Sequence, residues 1–395
     1  AAGRRVQVIE AKDRVGGRCH TVTQPFGVPI DLGAHWFHAV EVNPLVPIFK
    51  AAGFDLYEPP WDERLSIRGR GPREGEREAY AAALSRSHRA ILAAGRAGRD
   101  VPLSEVLPDT ADWRATIEFL WGAWDSGKEV QEISCLDFFN AVEGDEYFCR
   151  TGLGTAVASL ATGLPIRLST PATRIDWSGR DVTVETPSGN LRARAVIVTV
   201  STAVLGANAI RFTPALPRRQ ADAIAALSCG AYEHLIVHLP GDPFVAQADE
   251  IIVAKTESRR TARGLARLGG SDWWYLDIGG RFARDLAREG EAAMKAFAAE
   301  FVERDLGTAA RRAMGAVHVT NWSNDPHVRG AWSVAAPGAT RQRAVLGEPM
   351  GERLILAGEA TDATRWGTVG GAFASGDRAA DQVLRWIAPQ RRPAR

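Results

Sequence analysis

Apolar residues in this chain fall into two patterns, and each predicts a different element. Short continuous runs read as buried strands: Val6 to Glu10, which ends in an acid, Val196 to Val200, and Leu354 to Ala357, which a glycine follows. Asp272 to Asp277 (DWWYLD) is a dense aromatic strand of the same kind. Val182 to Thr186 and Leu191 to Ala195 flank Pro-Ser-Gly-Asn and predict a hairpin. The second pattern recurs at three and four residues. It predicts helices over Glu78 to Gly98, Trp113 to Trp124 and Ala283 to Asp305, and a C-terminal helix through Ala379, Val383, Leu384 and Ile387. Thr151 onward reads as a helix and then a strand, and the charged, glycine-rich run Ile67 to Arg77 reads as a solvated loop.

Glycines interrupt these elements at informative places. After Leu354 to Ala357 the chain breaks at Gly358-Glu359, and Gly367, Gly370 and Gly371 precede the C-terminal helix. Glycines at a helix N-terminus expose backbone N–H groups at the positive end of the helix dipole, which suits an electron-rich or anionic ligand. Near the other end, the strand Val6 to Glu10 finishes in an acid and is followed by AKDRVGGRCHT. An acid ending a strand about 20 residues after a GxGxxG loop grips the ribose of an adenine dinucleotide. Only nine residues precede Glu10, so the expected phosphate loop, first strand and most of the first helix lie outside the chain. Ala1-Ala2-Gly3 then reads as the tail of that helix.

Composition narrows the class. The 395 residues allow one large or two medium domains, and 45% hydrophobic with 24% charged residues is the balance of a globular protein. A net charge of +1 gives no electrostatic case for nucleic acid or an anionic membrane. The four cysteines, Cys19, Cys135, Cys149 and Cys229, form no CxxC pair and read as reduced buried thiols. No apolar run approaches the ~20 residues of a membrane helix, and no signal peptide is visible. A cytoplasmic location is expected.

The strings AGEAT and GTVGGAFASGDRAA resemble the C-terminal flavin-binding motif of the flavin-dependent amine oxidase family, which includes monoamine oxidases, polyamine oxidases and histone lysine demethylases. The resemblance implies that Gly358 and Glu359 lie by the ribityl-pyrophosphate of FAD, with Thr368 and Val369 against the isoalloxazine. EAKDRVGGRCHT resembles the family's pyrophosphate segment, placing Glu10 on the adenosine ribose, Arg18 near phosphate, and Gly16 and Gly17 where backbone comes close. Ala172 to Ile175 matches the edge laid by the adenine. DLGAHWFHA resembles the polyamine oxidase segment DLGASWLHG, which makes His38, flanked by Trp36 and Phe37, a tunnel-wall group orienting the amine. NWSNDPHVRGAWSVAAPG resembles W-x-x-D-P followed by G-S-Y-S, so Trp322 is expected near the flavin and Trp332 at the aromatic cage. Two positions depart from the family pattern. Thr199-Val200-Ser201 replaces TVP, and His234 stands where a Lys normally holds a water against flavin N5, with Lys255 the nearest lysine in sequence.

What the resemblance implies is an α/β protein: a Rossmann-like FAD-binding domain, truncated at its N-terminus, with an inserted mixed-sheet and helix substrate domain. The FAD-binding segments are 1–58, 141–230 and 341–395, and the substrate segments are 59–140 and 231–340. The implied reaction is oxidation of a small-molecule amine by hydride transfer to flavin N5, with oxygen reduced to hydrogen peroxide and no metal required. His234, His38, Trp332 and Thr368 are the expected catalytic group. Two alternatives stay open: an amino-acid oxidase or desaturase, which needs an Arg to clamp a carboxylate, and a non-catalytic or truncated member. Without the phosphate loop, the chain is expected to retain FAD poorly.

Overall fold

A computed structural model describes residues 3–388. Its largest element is a six-stranded sheet in the order Val317–Val319, Tyr232–His238, Trp273–Gly279, Arg263–Ala266, Glu250–Ala254, Glu63–Ser66. All neighbours are antiparallel except the last pair. Strand side chains alternate between faces, and here both faces are covered. Trp274, Leu276 and Ile278 pack under the helices Gly280–Glu289 and Glu291–Phe301, through Leu286, Phe297 and Phe301. Trp273 and Tyr275 turn the other way, toward Leu65, Tyr80, Trp113, Phe119 and Phe148. This double burial explains why DWWYLD is aromatic throughout.

The predicted helix over Ala283 to Asp305 is in fact two helices meeting at Gly290, followed by a π-helical turn, Val302–Leu306. Gly290 has φ 98°, which a side chain would resist, so the period of apolar residues continues while the backbone does not. Trp113 to Trp124 also departs from a single α-helix. It is a 3₁₀ turn ending at Trp113, an α-helix Arg114–Glu118, and a π-helix Phe119–Trp124. Such π segments occur mostly as short pieces, frequently at functional sites. Glu76–Arg96 forms a long helix, preceded by a tight turn from Ile67 to Arg70 rather than an open loop.

The other half is built from smaller sheets. Val8–Ile9 pairs in parallel with Ile166–Arg167, and Val196–Val198 pairs in parallel with Leu354–Leu356. A four-stranded sheet runs Gly189–Ala193, Val182–Thr186, Arg174–Asp176, Arg211–Thr213. Its hairpin turns on Pro187-Ser188 alone, because Gly189 already pairs with Thr186. The helix Val369–Ile387 follows Leu354–Leu356, with the Thr368 side chain capping its first turn. Gly3 lies in a bend, while Ala1, Ala2 and the arginine-rich end Arg391 to Arg395 fall outside the described residues. Among the described residues no helix is long and apolar enough to cross a membrane.

Candidate active site

The parallel strands Val196–Val198 and Leu354–Leu356 end side by side. Beyond them the segments 199–202 and 358–361, together with Arg18, line a small crevice partly open to solvent. This is the position, outside the carboxyl ends of parallel strands, where open α/β sheets bind ligands.

Glu359 sits at the cavity's base, 4% exposed. Its Oε1 accepts from Arg18 Nη1 at 3.0 Å and from the Ser333 N–H at 3.0 Å. Its Oε2 accepts from Ser333 Oγ at 2.7 Å and from the Gly367 N–H at 2.9 Å. Burial alone would raise its pKa, but Arg18, the Ser333 hydroxyl and Arg343 together hold it below the ordinary carboxylate value. Burial likewise opposes the charge on Arg18, and Glu359 overcomes it, so the guanidinium is held more firmly charged than usual. Behind Ser333 lies Arg343, fully buried, which donates to Ser333 Oγ at 2.9 Å and grips Asp137 through two bonds of 2.8 and 2.7 Å. These two residues were not singled out from sequence.

The network changes the role implied for Glu359. Its oxygens are saturated by the chain's own donors, so its carboxylate ties together the Arg18 loop, residues 331–333 and the Gly367 turn instead of facing outward. Arg18 keeps Nε and Nη2 without protein partners among the described residues and faces the cavity. Thr368 is likewise committed. Its hydroxyl accepts from the Gly371 N–H and donates to the Arg365 carbonyl, and Val369 packs toward Phe37 and Phe49. Gly358 follows the strand, its N–H bound to Ser375 Oγ. Glu10 is partly exposed and caps its own turn through the Lys12 N–H. Gly16 and Gly17 form the turn before Arg18, with Gly17 accepting from Arg14, and Ala172 lies just ahead of the strand Arg174–Asp176. Trp322 donates to the Leu32 carbonyl and packs under Lys12 and Arg14. Gly33 is where this turn crosses the Arg18 segment, and a Cβ there would overlap the Arg18 carbonyl.

A lane of aromatic rings leads away from this crevice. Trp332 meets Tyr232 at 5.2 Å and Tyr232 meets His234 at 5.6 Å. His234 stacks on Tyr275 at 4.4 Å, and Tyr275 meets His35 edge-on at 5.5 Å. The line continues through Phe148 and Trp36 to Trp61, which is 46% exposed.

His234 is fixed at both ring nitrogens. Nδ1 lies 2.6 Å from Asp277 Oδ1 and Nε2 lies 3.1 Å from the Gly33 carbonyl. Both neighbours accept, so both nitrogens carry protons and the ring is an imidazolium. Burial opposes that charge, but Asp277 prevails and raises the pKa. No ring nitrogen is left to hold a water, so the water-holding role implied for His234 gives way to that of a fixed cation. Lys255 lies over Trp113. The buried lysine is Lys128, pushed down to about 8 by burial and bound to Ser228 Oγ and the Val334 carbonyl. His38 is paired with Glu146, 40% exposed, and its pKa is raised because the carboxylate outweighs burial. Asp125, which closes the π-helix, is pushed up to about 6 by burial, and its one side-chain bond is from Ser126 Oγ at 3.3 Å.

The profile of the family described as flavin containing amine oxidoreductase matches residues 1–76 and 104–384. The chain belongs to this family. Among curated relatives, polyamine oxidase 4 of Oryza sativa subsp. japonica is 27% identical over 422 residues, covering 98% of this chain and 85% of that protein. Lysine-specific histone demethylase 2 of Homo sapiens is 26% identical over 432 residues, covering 96% of this chain and 50% of that protein. Among solved structures, cyclohexylamine oxidase from Brevibacterium oxydans IH-35A superposes with a TM-score of 0.77 at 20% identity, covering 98% of this chain and 95% of that one. Putrescine oxidase bound to putrescine superposes at 0.79 and 19% identity, covering 97% and 94%. The fold is that of the family, the enzyme is an amine oxidoreductase, and its cofactor is the flavin FAD.

The described residues fit that cofactor. The crevice lies where a dinucleotide is expected, and Arg18 offers it two donors without protein partners, a match for an anionic pyrophosphate. Arg18, Glu359 and Trp332 stood out in the sequence because they sit in contiguous motifs. Tyr232, Tyr275 and Asp125 did not, since their only local signal is the aromatic density of their segments. Nor did His35, three residues before His38.

Proposed function

We propose that the protein oxidises a small cationic amine, held along the ring lane with its reacting carbon at the Trp332–Tyr232 end. When bound, FAD would take a hydride at N5 from the carbon bearing the amine, leaving an imine for water to hydrolyse, and pass the electrons to oxygen as hydrogen peroxide. The chain's own contribution is orientation and exclusion of water. Trp332 and Tyr232 are inclined at 48°, presenting two ring faces to an ammonium and to the apolar carbon behind it.

One observation carries this reading: the charge balance of the lane. Three cations there already have an acid, and the charge of a fourth, Lys128, is weakened by burial. His234 is paired with Asp277, His38 with Glu146, and Arg263 with Glu63 at 2.5 Å. Asp125 is the acid left over, with no cationic partner within bonding distance among the described residues. A surplus carboxylate beside aromatic faces favours a cationic substrate.

A second reading, oxidation of an amino acid, draws on Arg263. This residue is 7% exposed, lies over Trp124 at 3.7 Å, and its Nε has no protein partner among the described residues. Glu63 already neutralises it, which is why the amine reading stands first. A peroxide assay of the FAD-loaded protein against polyamines, monoamines and amino acids separates the two. Turnover of amines with amino acids inert is expected. Preference for an amino acid, abolished by Arg263→Met, would replace the first reading with the second.

A further inference from the structure

An aliphatic amine reaches any enzyme near neutral pH as an ammonium ion, since amines of the lysine type hold their proton to about pH 10. Its carbon gives up a hydride only when the nitrogen lone pair is free, so one proton has to leave first. Most basic groups along the ring lane are already committed. His234 is an imidazolium bound on both sides, and Lys128 is bound to Ser228 and Val334. His38 is tied to Glu146 and 40% exposed.

His35 differs from all of these. Its Nδ1 lies 2.8 Å from Asp31 Oδ2. Asp31 is 1% exposed and fixed by Thr21 Oγ1 at 2.5 Å and by the N–H groups of Leu153 and Gly154, each at 3.1 Å. A carboxylate so anchored accepts from Nδ1–H and selects the tautomer whose lone pair is on Nε2. That Nε2 is buried and has no protein partner among the described residues. Rings surround the imidazole, with centroids at 4.2 Å for Phe148, 5.5 Å for Tyr275 and 6.3 Å for Trp36.

Resting on the amine reading above, we infer that His35, oriented by Asp31, is the proton acceptor that delivers the substrate amine in its neutral form. One N–H bond of the ammonium breaks and one Nε2–H bond forms. The pair R–NH₃⁺ and imidazole becomes R–NH₂ and imidazolium, and the new charge lies opposite Asp31. The titratable groups around His35 are few. Asp31 is on its own turn, Tyr275 faces it from the sheet with Asp277 and His234 behind, and Cys19 and Cys149 lie beyond Asp31. Burial keeps Tyr275 a phenol and Cys149 a thiol, and pushes Cys19 up to about 12. Apart from Asp31, the charges nearest His35 are those of the His234–Asp277 pair and of Asp249, which acts on Tyr275 and accepts from the Tyr57 hydroxyl.

The test is the pH dependence of kcat/KM for amines of the active panel, using His35→Gln and His35→Ala. A loss of about 10²-fold or more is expected near neutral pH, shrinking to a few-fold near pH 10, where the amine arrives neutral. The ratio of bound flavin to protein and the melting temperature should stay at wild-type values. A loss equal at every pH, or no loss, would overturn the assignment. If neither variant folds with flavin, the wild-type protein decides through two panel amines of different basicity. An acid limb at the same pH for both supports His35, whereas a limb that tracks each amine's own basicity refutes it. Absence of peroxide with every amine would instead be a failure of the functional reading.

Discussion

Around Glu359 the buried polar side chains are all partnered: among the described residues none of Asp137, Arg343, Ser333 or Glu359 has a buried nitrogen or oxygen without a hydrogen bond. Along the ring lane, among the described residues, His35 Nε2 lacks one, as do Arg263 Nε and Nε1 of the Trp124 it lies over. The first region has its shape set by the chain alone, through a buried ion pair that fixes a serine, which fixes a carboxylate, which fixes three loops. The second is shaped by ring packing and leaves polar groups for a ligand to meet. Substitutions in the first should therefore cost stability, and substitutions in the second should cost turnover.

The sharpest way to break this contrast is Arg343→Met. It strands Asp137 as a buried charge, and removing one partner of a buried pair costs ~3–5 kcal/mol. Urea denaturation should show that loss, with release of flavin as the Glu359 knot loosens. Restoring most of the stability with Arg343→Met and Asp137→Leu together would show that the stranded charge, not lost volume, is the cause. A loss below ~1 kcal/mol for the single variant would mean the network is not what holds the crevice.

On the lane side, Trp332→Ala removes a ring face worth ~1–2 kcal/mol to a desolvated cation, so amine turnover should fall roughly tenfold. Flavin retention should be much less affected. An unchanged rate with a markedly lower melting temperature would make Trp332 a packing residue and erase the distinction between the regions.

Asp125 gives the smallest effect and a signed one. Its folded-state pKa of about 6 lies above the ~3.9 of an unfolded Asp, so the folded chain holds the proton more tightly. The stability this contributes is complete below about pH 4 and is lost as pH rises through about 6. Asp125→Asn, which mimics the protonated acid, should raise stability by ~1 kcal/mol at pH 7.5 and change little near pH 4. The same variant should weaken amine binding at pH 7.5, because the surplus carboxylate is gone.

Much of the first region was legible because its signals are local. A short apolar strand, a glycine, an acid and a capping threonine follow one another from Leu354 to Thr368, and strand and helix appear where that order requires. What fixes Glu359 was not legible, since Asp137 and Arg343 stand 206 positions apart and nothing in either segment names its partner. The same holds for His234. Its motif position suggested a free ring, but saturation comes from Asp277, 43 residues away, and from the Gly33 carbonyl, 201 residues away. The helix breaks at Gly290 and at the π segment Phe119–Trp124 escaped because apolar spacing persists across both. His35 did have a signal, a buried-type acid four residues earlier at Asp31, but only the fold shows that the two side chains meet.

The claim on which the rest depends is that the ring lane delivers amines to the flavin, and anaerobic mixing tests it without relying on oxygen. Flavin-loaded protein mixed with the most active amine of the panel should lose its oxidised-flavin absorbance at a rate that saturates with amine concentration. Trp332→Ala should lower that rate. Flavin that stays oxidised with every amine, yet bleaches with an amino acid, would contradict the account.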